Sequence, residues 1–144
     1  MPEFRNYSPA LVDASFCGFP IRGYADDTFI RAMAQSDSFS LEKGALGDVT
    51  RVQNLDESGE VSFTIMAATP TNDFLSGKAL QDRESRDGYG PLLVKERGGT
   101  TIFFSEKAWI RKMPELEFAK SASQRVWVLD CAIVKVFLVG GNLL

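Results

Sequence analysis

Residues 126–139, which read VWVLDCAIVKVFLV, constrain this chain more than any other stretch. Along one strand, Val126, Val128, Asp130, Ala132, Val134, Val136 and Leu138 fall on one face. Trp127, Leu129, Cys131, Ile133, Lys135, Phe137 and Val139 fall on the other. Both faces are apolar. An antiparallel sheet in a small monomer normally leaves one face wet, so a strand dry on both sides is central in a sandwich or covered by another copy. Asp130 interrupts the run, and an ionised group there needs a partner, predicted to be a salt bridge or a subunit contact. With Asp130 and Lys135 inside it, and shorter than the ~20 residues a membrane helix needs, the run is not a spanning segment.

Most of the remaining chain also reads at period 2. Val61, Phe63, Ile65 and Ala67 alternate with Ser62, Thr64 and Met66, as do Ala10, Val12, Ala14 and Phe16 with Leu11, Asp13 and Ser15. Phe39 and Leu41 alternate with Ser38, Ser40 and Glu42. Gly98-Gly99 links two further strands as a hairpin, the second predicted to continue through Trp109 to Met113. One segment departs from the pattern. Pro70 near its start, Thr69 or Thr71 as cap and Asp73 in the first turn predict a helix over about 70–86, ended by Asp87-Gly88-Tyr89-Gly90-Pro91. The expected fold is mainly β within the α+β class. It is an antiparallel two-sheet β-sandwich or barrel with one flanking helix, in a single domain over 1–144 whose residues 1–8 form an N-terminal arm.

Residues 43–60 are long for a hairpin connection and carry Leu46, Val49, Val52 and Leu55, which would lie against water in an isolated subunit. Asp48, Asp56, Glu57 and Glu60 outnumber Lys43 and Arg51, so the stretch is acidic and predicted to meet a basic surface. Charge is unevenly spread along the chain. Residues 1–72 carry five bases and ten acids, while residues 73–144 carry eleven bases and nine acids.

Composition removes several function classes. A net charge of -3 gives no global field for holding phosphates, and the absence of His removes the commonest metal ligand and neutral-pH base. No glycine-rich nucleotide loop follows the strand before the helix. No cofactor and no metal site are expected. Cys17 and Cys131 read as small buried hydrophobes, with a disulfide between them as the lesser reading. No secretion signal is visible at the N-terminus.

The runs Ser58-Gly59-Glu60-Val61-Ser62-Phe63-Thr64, Thr69-Pro70-Thr71-Asn72-Asp73-Phe74-Leu75-Ser76 and Pro91-Leu92-Leu93-Val94-Lys95 come in a telling order. They are followed by Gly99-Thr100-Thr101-Ile102-Phe103-Phe104-Ser105-Glu106-Lys107-Ala108-Trp109-Ile110 and the ending Val139-Gly140-Gly141-Asn142. Together, over about residues 35–142, they resemble the tail tube proteins of contractile-tailed, myovirus-type bacteriophages. The resemblance implies a structural virion protein made in the host cytoplasm, whose hexameric rings stack into the tube that delivers the genome. It implies partners of several kinds: further copies of the chain, the sheath, baseplate and tail-terminator proteins, and the tape-measure protein and DNA in the lumen. Residues 43–60 are then expected to stack rings through Leu46, Asp48, Val49, Arg51, Val52, Leu55 and Asp56, and Asp130, Val134 and Val136 to join subunits within a ring. An inner tube of a related injection or type VI secretion system is the near alternative.

Two other classes are weighed against this reading. A monomeric sandwich that binds sugar or peptide would use Trp109, Trp127 and Tyr89, though aromatics within strands are more often core. An enzyme would use Asp130, or Glu115 with Glu117, which share a face if their segment is a strand; solvated surface acids explain that pair better.

Overall fold

Alternating β-branched and aromatic residues set most of the chain into strands, and the structure, a computed structural model, describes residues 2–141. Met1 of the N-terminal arm and Asn142 of the Gly-Gly-Asn ending lie outside the described residues. The strands are β1 (Val12–Phe16), β2 (Phe19–Pro20), β3 (Ile30–Ala34), β4 (Phe39–Lys43), β5 (Val49–Gln53) and β6 (Gly59–Met66). After helix α1 (Thr71–Ser85) come β7 (Gly90–Glu96), β8 (Ile102–Ile110), β9 (Gln124–Cys131) and β10 (Val134–Leu138). The expected β architecture with two antiparallel sheets and one helix is thus present.

The main sheet runs in the order β2-β1-β7-β8-β9-β6-β3, while β4 and β5 form a separate two-stranded sheet. Strand β8 joins two limbs. It pairs with β7 along one side; on the other, its first half pairs with β10 and its last three residues with β9. The segment after β2 then ties the far ends together. Ile21 N donates to Ala14 O of β1 at 2.9 Å, and two residues on, Gly23 O accepts from Met66 N of β6 at 2.8 Å. The sheet therefore curls over one core, to which Phe16, Leu92 and Phe103 contribute from one limb and Val61, Phe63, Ile65, Trp127 and Leu129 from the other.

Helix α1 is fastened at its start. Thr71 is buried, and its hydroxyl both donates to Arg22 O at 2.9 Å and accepts from Arg22 N at 3.2 Å, so it cross-links the helix to the closing segment rather than capping it. Asn72 does more. Its amide donates to the carbonyls of Met66, Ala67 and Thr69 and accepts from the indole N–H of the buried Trp127 at 3.0 Å. Leu75 buries fully below it, and Phe74 stacks on Phe19 with 4.2 Å between ring centroids. The helix ends at Arg86 in the left-handed region, and the chain turns so tightly that a Cβ on Gly88 would lie 2.4 Å from Lys78 O.

Three expectations change. The segment after Ile110 is irregular as far as residue 123, so β8 does not reach Met113. Residues 126–139 are two strands, broken at Ala132-Ile133, and β10 carries a register shift between Val134 and Val136. Residues 23–37, to which the sequence assigns no element, also contain a strand, β3, which pairs with β6. Residues 43–60 are not one long loop: β5 lies inside them and pairs with β4, leaving a tip over residues 44–48 where Gly44 N donates to Asp48 O and Gly47 sits at φ 93°.

Asn72→Ala removes the acceptor of the Trp127 indole N–H and the ties at the helix start together. It is expected to lower the unfolding free energy by about 2 kcal/mol, read by urea denaturation followed through tryptophan fluorescence. Wild-type stability in this variant would show that the staple is dispensable.

Candidate assembly surfaces

The hairpin β4–β5 stands apart from the core as an arm whose ten strand residues are all exposed. Its register places Phe39 with Gln53, Leu41 with Arg51 and Lys43 with Val49 on one face, and Ser40, Glu42, Thr50 and Val52 on the other. The apolar face is therefore also the basic one. Arg51 lies over the Phe39 ring at 3.6 Å from its centroid. Leu46 at the tip is 95% exposed and Leu55 beyond β5 is 82% exposed. The acids lie elsewhere: Glu42 on the polar face, Asp48 at the tip, and Asp56 and Glu57 at the root.

Asp56 latches that root. Its carboxylate accepts from Ser36 Oγ, Ser58 Oγ and Ser58 N, and these hydrogen bonds, Ser36 first, hold it below the usual carboxylate range. Its charge serves the subunit itself.

Asp130 also finds its partner internally. It faces Glu60 directly across the β6–β9 ladder, a costly opposition of like charges, and Arg111 bridges the two. Arg111 Nε lies 3.1 Å from both Asp130 oxygens, and the paired carboxylates raise the guanidinium pKa, Asp130 foremost. Sequence reading named Asp130 but not Arg111, which lies just past a strand end with no local signal of its target.

The register shift in β10 separates the other two lateral residues. Val134 packs against the core and touches the position of Gly59, where an added Cβ would lie 2.5 Å from its methyl. Beyond the bulge the alternation flips. Phe137 meets Phe103 edge-on at 5.0 Å while Val136 pairs with Phe104 on the outer face, and both side chains are 40% exposed. Lys135 at the bulge pairs with Glu106 at 2.8 Å and depresses that carboxyl. An open groove of about 640 Å³ beside this edge is lined by Val12, Phe29, Ile30, Val94, Phe137 and Val139 among others.

The residues weighed for other chemistry are dispersed. Trp127 is core, Trp109 lies on the outer side of β8 between inward Ala108 and Ile110, and Tyr89 is exposed after α1. Glu115 and Glu117 sit in the irregular segment, not on a strand face. Cys17 and Cys131 are both free thiols, and burial raises the Cys131 pKa to about 11 and that of Cys17 to a lesser degree. Burial also raises the Tyr24 phenol to about 12. Among the described residues no cluster of three His, Cys, Asp or Glu could hold a metal ion, and no helix is long and apolar enough to cross a membrane.

Comparison with known proteins fits this picture. The chain is 28% identical over 131 residues to structural protein ORF10 of Pseudomonas phage KPP10, covering 90% of this chain and 75% of that protein. Among solved structures, it matches the tube-terminating cap of the anti-feeding prophage, seen by cryo-EM, with a TM-score of 0.64. That match spans 99% of this chain and 95% of the cap at 6% identity, so it is a likeness of fold. No family model matches. The chain is thus similar in sequence to a phage structural protein and shares the fold of a tube-end subunit.

Two outcomes follow. Arg111→Met leaves Glu60 and Asp130 opposed, and should cost about 1 kcal/mol in low salt; a thermal melt should show much of this recovered by adding Asp130→Asn. Val134→Glu should abolish folding, whereas Val136→Glu should keep a native circular dichroism spectrum and block self-association in sedimentation. Equal effects from the two Val variants would contradict the register shift.

Proposed function

We propose that the chain is a tail tube subunit, a structural virion protein whose hexameric rings stack into the inner tube of a contractile phage tail and conduct the genome. The observation that carries this reading is the arm. A two-stranded hairpin alone is marginal in water, and this one presents Phe39, Leu41, Leu46, Val49 and Leu55 to solvent. Such a surface is stabilised when another molecule covers it. Similarity to a phage structural protein supports the setting, and the fold shared with a tube cap supports the architecture. The partners would be other copies, sheath, baseplate and terminator proteins outside, and the tape-measure protein and DNA within. No catalytic role is proposed.

The cap likeness favours a second reading, a subunit that ends a tube, either in a phage tail or in a related injection system. Negative-stain microscopy of the purified protein separates the two: a tube subunit grows stacks of many rings, a cap halts at one ring.

Trimming the arm tests the interface. Asn54 N donates to Ser38 O at 2.8 Å, so the chain can be closed there with a short turn. The trimmed protein should melt close to wild type, because the arm adds nothing to the core, and should form no stacks. Long tubes from it would exclude the arm as the stacking element.

A further inference from the structure

The segment between β8 and β9, residues 111–123, is another place where this chain leaves apolar side chains in water. Leu116 is 69% exposed and Phe118 81%, and they alternate with exposed Glu115 and Glu117. Among the described residues, neither glutamate is in an ion pair, and neither are Lys43 or Arg51 on the arm. The two patches are complementary in kind. The arm face is apolar and basic, and residues 115–118, flanked by Lys112 and Lys120, are apolar and acidic.

Their places in the fold are also opposite. The β6–β9 ladder runs from Gly59 paired with Cys131 to Met66 paired with Gln124, about 24 Å at ~3.4 Å per residue. The arm roots at the Gly59 end, beside Ala34. The irregular segment returns to the sheet at the other end, where Ala67 N donates to Ser123 O and the Phe118 ring lies 5.9 Å from the guanidinium of Arg125, the register partner of Ile65. One subunit therefore carries two unlike, matching surfaces at its two ends, which is the condition for a repeating head-to-tail contact.

We infer that the Phe39, Leu41, Lys43, Val49 and Arg51 face of the arm seats on the Glu115-Leu116-Glu117-Phe118 segment of a second copy of the chain. The inference rests on the stacking role proposed for the arm and names the surface it meets. It also reverses the sign expected from net charge: the docking face of the arm is basic, and its receptor is acidic.

Charge exchange tests the pairing. Lys43→Glu with Arg51→Glu gives a chain acidic on both surfaces, and Glu115→Lys with Glu117→Lys gives one basic on both. Each alone should raise the concentration needed for assembly by at least about tenfold. Mixed one to one, they should assemble near the wild-type concentration in alternation, since every contact is again of opposite sign. Failure of the mixture, with each variant folded by circular dichroism, would overturn the pairing.

A chain carrying Val49→Cys and Leu116→Cys separates this from the tube reading. Under mild oxidation it should give a ladder of disulfide-linked multimers that wild type, with only Cys17 and Cys131, does not. Tubes without the ladder would refute the pairing and leave the tube. A ladder without tubes would refute the tube and leave the pairing. Monomers alone at high concentration would refute both.

Discussion

The buried indole of Trp127 is the group around which the subunit is organised. A tryptophan in the centre of β9 fills the space between the two limbs of the curled sheet, but its N–H has to be met there or its burial is costly. Asn72 meets it, and can do so only because Pro70 and Thr71 start a helix directly after the turn from β6. The same turn puts Thr71 against Arg22, whose segment closes the sheet. Core filling, helix position and sheet closure are therefore one arrangement, built from five residues between Thr69 and Asp73 and one tryptophan more than fifty residues away.

Polar satisfaction inside the subunit is nearly complete, and this makes the exposed apolar residues informative. Asp130 and Glu60 share Arg111, Asp56 is held by serines, and Glu106 has Lys135. These groups are occupied before any partner arrives. Among the described residues the buried polar atoms left without a partner are the Tyr24 hydroxyl and Arg125 Nε, while large apolar side chains stand in water on the arm, the outer side of β10 and the 115–118 segment.

How much of this could be read beforehand depended on whether the controlling interaction was local. Period-2 alternation located β1, β4, β6 and the core face of β9, Gly98-Gly99 located the β7–β8 hairpin, and Pro70 with Gly88 bracketed the helix to within a residue or two. Where pairing decided the matter, local pattern failed. Nothing near Val49 says that it lies opposite Lys43, so β5 read as part of a loop. A one-residue bulge at Lys135 leaves the run of apolar residues unbroken while moving Val136 to the other face. Asp130 announced its need for a cation, but the cation came from a strand end nineteen residues back. Net charge misled in the same way, because the acids of the arm and its bases lie on different surfaces, and only the β4–β5 register separates them.

The arm explains why such a subunit would work only in company. A handful of side chains on a two-stranded hairpin buries far less than the ~1,200 Å² of a specific, stable interface, and the charged pairs at its edge are weakened by salt. One arm on one receptor would therefore be short-lived. When arms project together from a closed ring, each later contact becomes intramolecular, and the effective concentration of the next arm replaces that of free protein. On the proposed reading, a surface that is weak singly and strong in a ring would keep free subunits apart until rings exist and then let rings add to one another. The separation of roles within the fold fits this logic, with a packed body around one core and a separate arm whose two faces differ in polarity.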